Sequence, residues 1–248
     1  MRKALLACWV IAFASGCNDS KISTEDVVEL TVCPDTDDSG TACSTAPDAD
    51  SQSTVVVQVC VGGSVSNSDR RTDLTATLRA SHGTWAGHDA SDATSLSLPF
   101  GSARCQFATL TVDQTPGANR IDASLLGYAD SKVIVQKATT LKFVDFTAAS
   151  SPPLQGEDSS TVQLTVAAHS ESGGLPSAGT RVEFTTLNLL PAGSVTMSPL
   201  ATTLDAEGHA NVNVFVPSTI DSFTIVGTVK SPDASVPEVV GSLDIKRQ

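Results

Sequence analysis

Two histidines and a carboxylate lie close together in the segment HGTWAGHD. His82, His88 and Asp89 carry the nitrogen and oxygen atoms that ligate zinc and similar metals. Their spacing matches no helix or hairpin pattern that brings all three onto one face, and a histidine in a loop is usually only solvated. His169 and His209 stand alone in other segments. The sequence therefore predicts no metal site among its histidines.

An acidic stretch, PDTDDSG, offers oxygen ligands instead. Asp35, Asp37 and Asp38, followed by Gly40, match the beginning of a calcium-binding loop of the EF-hand type. The twelfth position counted from Asp35 is Ala46, where that loop requires a bidentate Glu. We interpret the stretch as an Asp-rich turn and keep calcium as the alternative. The sequence implies no cofactor.

Trp85 has two possible roles. Because Gly87 follows closely and carries no side chain, the indole ring could form a platform on which a sugar stacks. The alternative is an indole that points into the core of a β-sandwich. Trp85 is therefore the candidate ligand-binding residue of this chain, with burial as the competing interpretation.

Composition and motifs exclude several classes of protein. The chain has no GxSxG, no Gly-rich phosphate loop and no Cys–His pair in a nucleophile context, so we expect no enzyme. Its 15 Lys and Arg against 27 Asp and Glu give a net charge of −12. That charge excludes a nucleic-acid binder with a basic surface, because phosphate binding requires clustered cations. The 40% hydrophobic content, rich in Val, excludes a wholly disordered chain.

The N-terminus has the pattern of an export signal. Arg2 and Lys3 precede an apolar run of 11 residues, from Ala4 to Ala14, which is shorter than the roughly 20 that span a bilayer. The segment ASGC, ending at Cys17, resembles the bacterial lipobox, in which cleavage before the Cys exposes it for lipid attachment. We predict that Cys17 carries lipid. Ordinary signal cleavage after Ala14 is the alternative.

The remaining cysteines agree with export. Beyond Cys17, the exported chain retains Cys33, Cys43, Cys60 and Cys105, and four thiols in an oxidising compartment indicate two disulfides with three possible connectivities. Cys33 and Cys43 flank a short polar turn, so a local bridge between them is the simplest, which leaves Cys60 with Cys105. However, the alternating valines of TVVVQVCV place Cys60 on the face opposite to theirs, which weakens the second pairing. The connectivity stays open.

The sequence repeats itself at nearly constant spacing. TVVVQV, from Thr54, aligns with TVQLTV, from Thr161, 107 residues later. The motifs IDASLLG and FTIVGTV, and then TLKFVDF and SLDIKRQ, align at a spacing of 102. Between them, Leu74–Leu78 aligns with Val182–Thr186, Phe100-Gly101 with Glu207-Gly208, and Cys105–Leu110 with Val212–Pro217. The repeat predicts two copies of one module after a polar N-terminal extension.

Each module has the pattern of β-structure. From Ala210 to Val216 apolar residues alternate with Asn, and from Thr161 to Ala168 the alternation is similar, as in strands with one buried face. Turn-forming segments such as SGG, PAG and PD separate these strands. Short strands in a module of about 100 residues predict an all-β fold with two antiparallel β-sandwich domains.

The second module resembles the bacterial Ig-like domain of invasin- and intimin-type surface proteins. The resemblance is carried by TLKFVDFTAASSP, the turn Gly156-Glu157-Asp158, TVQLTVAA, GLPSAGTRVEF and TLDAEGHANVNV. In the last motif, Asp205 and Gly208 form a turn in which Gly can adopt positive φ without steric cost. The resemblance implies a domain that serves in display or spacing at the cell surface.

These observations divide the chain into a signal peptide (1–16), a polar Cys-containing extension (17–52) and Ig-like domains at 53–148 and 149–248. We expect a lipid-anchored envelope protein with a structural, display or adhesion-type role, at the outer membrane or cell surface. A periplasmic or secreted protein is the alternative. Its expected partners are the membrane, through the N-terminal lipid, and an envelope or surface protein or glycan. The alternative function is binding of an envelope glycan or small ligand through Trp85 and the disulfide-rich N-terminal end.

Overall fold

The computed structural model describes residues 27–34, 43–63, 65, 74–88, 91–149 and 158–247. Every regular element in these ranges is a β-strand, which confirms the predicted all-β fold. Across the same ranges, no helix has the length and apolar character needed to cross a membrane. The strands form two sandwiches of two four-stranded sheets each.

The first domain contains eight strands in two antiparallel sheets. One sheet has the order β1-β2-β6-β4 and the other has the order β5-β3-β7-β8. The strands are β1 (Val28–Val32), β2 (Thr54–Val61), β3 (Thr75–Ala80), β4 (Thr84–Trp85), β5 (Ser95–Pro99), β6 (Cys105–Thr111), β7 (Gly117–Leu125) and β8 (Tyr128–Gln136).

The second domain repeats this topology strand for strand. Its sheets have the orders β12-β14-β10-β9 and β13-β11-β15-β16, which are the orders of the first domain with eight added to each number. The internal repeat therefore corresponds to a structural repeat. The strands are β9 (Leu141–Ala148), β10 (Ser160–Ser170), β11 (Arg181–Leu190), β12 (Thr196–Ser198), β13 (Ala201–Thr203), β14 (His209–Val216), β15 (Ser222–Lys230) and β16 (Val239–Lys246).

Alternation of apolar residues builds each core. In β14 every second residue from Ala210 to Val216 is buried and the residues between them are exposed. β10 pairs with β14 in register, with Leu164 opposite Val212, so the valines of both strands share the inner face. Each sandwich has its own core cluster, one extending from Val27 to Ile134 and the other from Leu141 to Ile245.

Two predicted boundaries are wrong. β1 lies in the stretch predicted as a polar extension (17–52), and β9 lies at the end of the predicted first domain (53–148) although it pairs with β10 of the second. In strand order, β9 corresponds to β1 and β16 to β8, so the predicted alignment of TLKFVDF with SLDIKRQ is also wrong. Alternation indicates a strand with one buried face but carries no information about which strand lies beside it.

Two disulfides form, and they resolve the connectivity that the sequence left open. Cys33 bonds Cys43, and Cys60 bonds Cys105. Cys60 and Cys105 face each other in the ladder between β2 and β6, so the bridge joins neighbouring strands on the outer face of one sheet. Cys60 therefore lies on the face opposite to the buried valines, as their alternation predicted. It still pairs with Cys105, because a disulfide between neighbouring strands does not need to cross the core.

The predicted turn before β14 is confirmed. Gly208 has φ +83°, and the Asp205 carboxylate accepts hydrogen bonds from the backbone N–H groups of Glu207 (3.1 Å) and His209 (2.7 Å). A Cβ on Gly208 would lie 2.5 Å from the carbonyl oxygen of Ala168. The turn therefore needs glycine for its conformation and for the space beside it.

Candidate functional site

His82, which we predicted to be solvated and not a metal ligand, makes structural contacts. The backbone N–H of His82 donates to the Asn119 side chain (3.3 Å), whose amide donates back to the His82 carbonyl (2.9 Å). The His82 imidazole lies 3.9 Å from the Asp113 carboxylate. Within the part of the chain that the structure describes, no three His, Cys, Asp or Glu side chains converge in a way that could hold a metal ion. Asp89 lies outside that part.

The prediction that Trp85 is a ligand-stacking residue is wrong. Its side chain is fully buried in the first core, and its indole N–H donates to the backbone carbonyl of Thr94 (3.0 Å). A ring sealed on both faces has no surface left for a sugar. The competing interpretation, an inward Trp, is the one that the structure supports.

Other predicted positions lie outside the described residues. These are the lipidation candidate Cys17 and the calcium candidates Asp35, Asp37 and Asp38. They remain predictions from the sequence.

A junction of buried polar groups joins the two domains, and sequence reasoning did not identify it. Asp50, in the loop before β2, is 1% exposed. Its carboxylate accepts a hydrogen bond from the Ser172 hydroxyl (2.9 Å) and its backbone carbonyl accepts one from the Leu175 N–H (3.0 Å), both from the β10–β11 loop of the second domain. Gly174 permits this approach, since a Cβ there would lie 2.8 Å from the Asp50 carbonyl.

The Asp50 carboxylate is also held from its own side of the junction. Gln52 and Ser53 donate backbone N–H groups to it, at 3.0 and 2.7 Å. Burial by itself raises the pKa of Asp50, but the hydrogen bonds from Ser53, Gln52 and Ser172 outweigh it and hold the pKa below its ordinary value. The buried charge is therefore stabilised by neutral donors that belong to both domains.

Ser177 connects the junction to the interdomain linker. Its hydroxyl donates to the Ala49 carbonyl (3.1 Å) and accepts from the Thr139 N–H (2.9 Å), while its own N–H donates to the Thr139 hydroxyl (3.1 Å). Ser177 and Thr139 are 2% and 1% exposed. Buried polar groups with satisfied partners favour one geometry, because each alternative leaves a desolvated group unpaired.

A third contact closes the other side of the junction. Gln114, in the loop between β6 and β7, accepts a hydrogen bond on its backbone carbonyl from the Ala178 N–H (2.7 Å). Its side-chain amide donates to the Ala206 carbonyl (3.2 Å), next to the Gly208 turn. The two domains are therefore coupled through two loops of the second domain, β10–β11 and β13–β14, and through the linker. The Gly and Pro residues of SGGLPSAG were the only sequence signal of this junction.

A groove opens along one side of the first domain, between the edge strands β1 and β8. It has a volume of about 810 Å³. Its two walls come from different sheets, since β1 and β8 end their respective strand orders. The lining residues are Glu29, Leu30, Thr31, Val32, Thr45, Asp130, Lys132, Val133 and Ile134.

The fold is similar to solved structures of bacterial adhesins. Invasin, described as a bacterial integrin-binding protein, matches with a TM-score of 0.55 and 17% identity over 89% of this chain and 39% of that one. The Yersinia pseudotuberculosis adhesin InvE gives 0.49 and 14% over 90% and 59%, and the Escherichia coli adhesin FdeC gives 0.33 and 15% over 91% and 65%.

This chain thus spans less than two thirds of the length of each of these adhesins. The sequence matches no protein-family model and no curated protein. At these identities the similarity is one of fold, and the predicted resemblance to invasin-type Ig-like domains is confirmed at that level.

Proposed function

We propose that this protein is a lipid-anchored component of the bacterial cell envelope whose two Ig-like domains form a stiff spacer that presents a surface for adhesion-type interactions. The buried junction around Asp50, Ser177 and Gln114 is the observation that carries this proposal. Domains in one chain usually move relative to each other unless the interface restrains them. The hydrogen bonds that join two loops of the first domain to two loops of the second provide that restraint.

The direction of the chain suits display. β1 begins at Val28, opposite Val61, and ends near the loop that carries Asp50, so the N-terminus enters the first domain at the end away from the junction. An anchor at the N-terminus would place the second domain farthest from the membrane. Two sandwiches with strands of about eight residues extend roughly 50 Å end to end, at about 3.3 Å per residue.

The anchor rests on the sequence at Cys17. Several acyl chains on one cysteine hold a protein stably at a membrane, whereas a single chain holds only marginally. Cells producing the wild type and Cys17→Ser should be grown with a radiolabelled fatty acid and fractionated. We expect label and membrane association in the wild type alone. An unlabelled, soluble wild type would favour cleavage after Ala14 and a periplasmic or secreted protein.

The spacer is tested separately by small-angle scattering on the full chain. Asp50→Ala should broaden the distribution of domain orientations and increase the variance of the maximum dimension, since it removes the hydrogen bond between Ser172 and the first domain. Asp122→Ala, on the outer face of β7, is the matched control. Identical scattering from Asp50→Ala and the control would mean that the junction does not restrain the domains.

The alternative function, binding of an envelope glycan or small ligand through Trp85 and the disulfide-rich N-terminal end, loses the first of these two contacts. Trp85 is not accessible to a ligand. The partners that remain for this protein are the membrane and an envelope or surface partner, and no role with nucleic acid or in catalysis is proposed.

A further inference from the structure

The groove between β1 and β8 has an apolar base, as ligand-binding sites usually do. Leu30 and Ile134, each 1% exposed, form its apolar base, and Val133, 60% exposed, stands on its rim. Thr31 and Thr45 add hydroxyl groups. An apolar base with a few polar groups at the rim is the usual composition of a ligand site.

One wall of the groove is a strand edge on which strand pairing has already begun. The N–H of Val135 donates to the Thr45 carbonyl (3.3 Å), and the N–H of Lys137 donates to the Pro47 carbonyl (2.8 Å). This short parallel ladder stops at Thr45, which itself lines the groove. Because alternate residues of an edge strand point their backbone groups outward, Val133 directs its N–H to the same side as Val135 and Lys137. The next position of the ladder therefore faces the groove.

At the other end of the groove, the Asp130 carboxylate accepts the hydrogen bonds that the backbone of a neighbouring strand would otherwise accept. One of its oxygens accepts the N–H of Leu30 on β1 (2.9 Å), and the other accepts the N–H of Ser131 on β8 (2.7 Å). An inward-pointing charge is a common device for protecting a strand edge from uncontrolled pairing. Here it covers one N–H of each edge and leaves the stretch between Asp130 and Thr45 open as the groove.

In the described part of the second domain, the equivalent seam between β9 and β16 is filled. There the Phe143 ring of β9 lies directly over Gly241 of β16. Ile245, opposite Phe223, is 1% exposed, whereas Lys132, at the same position opposite Ile121, is half-exposed. The polar groove is therefore a property of the first domain and not of the shared topology.

Charge indicates what the groove favours. Two carboxylates, Glu29 and Asp130, line it against one ammonium group, Lys132, which lies 3.9 Å from Asp130. The whole protein carries a net charge of −12, which raises the local concentration of cationic partners. A bound segment with a basic side chain near Glu29 complements both the carboxylates of the groove and the net negative charge of the protein.

We propose that this groove binds an extended peptide segment of a partner protein that carries a Lys or Arg, by adding it as a strand beside β8 in continuation of the Thr45–Ala49 ladder. Main-chain hydrogen bonds to Val133 supply affinity, the apolar base receives alternate side chains, and Glu29 selects the basic residue. This inference names the partner class of the proposed interaction role and does not depend on the lipid anchor. Fractionation and peptide binding can therefore fail independently.

The test uses the full chain carrying Cys17→Ser and a phage library of random nine-residue peptides. Enriched peptides are synthesised, and their affinities are measured by fluorescence anisotropy. We expect enrichment of β-branched peptides with at least one Lys or Arg. Val133→Pro removes the N–H that faces the groove, whereas Val133→Ala, the matched control, keeps it. We expect Val133→Pro to weaken binding at least about tenfold, the order of one lost hydrogen bond, and Val133→Ala to weaken it much less.

Two further variants test charge and shape. Glu29→Gln should weaken the basic peptides and leave their uncharged analogues unchanged, and Lys132→Ile should block the groove as Ile245 does in the second domain. The circular dichroism spectrum and melting point of Val133→Pro show whether it remains folded; if it does not, Lys132→Ile and Glu29→Gln decide alone. No enriched peptide, peptides without basic residues, or a glycan that competes for the groove in a glycan screen would overturn the proposal.

Discussion

The two domains have the same strand order but differ at the seam between their two sheets. This seam lies between β1 and β8 in the first domain and between β9 and β16 in the second. In the second domain Phe143 packs over Gly241. The ring centroid of Phe143 lies 6.2 Å from that of Phe146, and the ring centroid of Phe146 lies 6.3 Å from that of Phe184. In the first domain the seam is polar, with Asp130 bonded to Leu30, and a groove remains. The topology therefore does not require a closed seam.

The first domain compensates with covalent bonds. All four cysteines beyond Cys17 lie in it, and the second domain has none. The Cys60–Cys105 bridge closes a separation of 45 residues between β2 and β6, the equivalent of the pairing between β10 and β14. A domain with an open seam can retain stability when cross-links restrict its unfolded chain. The comparison predicts that each domain depends on different interactions.

The largest effect is expected from truncation at the domain boundary. A fragment that begins at Ala149 lacks β9 and with it Leu141 and Phe146, which are 3% and 5% exposed, so it should not fold. A fragment that begins at Ala138 retains β9 and should fold. Far-ultraviolet circular dichroism and a thermal melt of both fragments measure this. A cooperative melt of the shorter fragment would show that β9 is dispensable.

Core truncations should separate the two domains. Trp85→Ala should destabilise the first domain and Phe223→Ala the second, each by about 3–5 kcal/mol, because each removes a fully buried aromatic ring. Calorimetry of the full chain should show each variant lowering one transition and leaving the other in place. If both variants shift a single shared transition, the two cores unfold as one unit.

Disulfide removal should affect the first domain alone. Replacing Cys60 and Cys105 together with Ala should cost about 4 kcal/mol, and replacing Cys33 and Cys43 about 3 kcal/mol, because the closed loops span 45 and 10 residues. Urea unfolding with and without reductant measures both. The second domain serves as the internal control, and a shift in its midpoint on reduction would contradict the assignment.

Two equivalent glycines should differ in sensitivity. Gly208→Ala forces a Cβ into a left-handed conformation and against the Ala168 carbonyl, and should cost about 2–3 kcal/mol. Gly101→Ala has the same conformational penalty, with φ +55°, but no atom within 4 Å of the new Cβ, and should cost about 1 kcal/mol. Equal losses of melting temperature would mean that the contact with Ala168 relaxes freely.

The smallest effect is expected from acid at the junction. Because the native pKa of Asp50 lies below its ordinary value of about 3.9, its contribution to stability is complete above that value and declines as the pH falls through the native pKa. Scattering between about pH 6 and pH 3 should show the domains becoming less restrained at the acidic end. Asp50→Asn should remove this dependence. A pH response identical in the variant and the wild type would assign the transition to other carboxylates.

The sequence alone was sufficient for the class of fold and the repeat. Alternation in TVQLTVAA and HANVNVFV predicted which side chains are buried, because in a strand successive side chains point to opposite faces whatever the neighbouring strand is. The turn at Asp205 and Gly208 was equally accessible, since its hydrogen bonds join residues at most four positions apart. The burial of Trp85 could not be predicted from the sequence, because the strands packed around the ring decide whether it is covered.

Long-range pairing decided the rest. β1 and β9 are edge strands whose membership depends on β2 and β10, and no local pattern specifies that partner. Asp50 and Ser172 are 122 residues apart, and Leu30 and Asp130 are 100 apart, yet each pair defines a surface that the sequence did not predict. The sequence determines which faces are apolar, since that depends on residue type and period. Only the folded chain determines which edges meet, because that depends on how strands that are far apart in the sequence pack together.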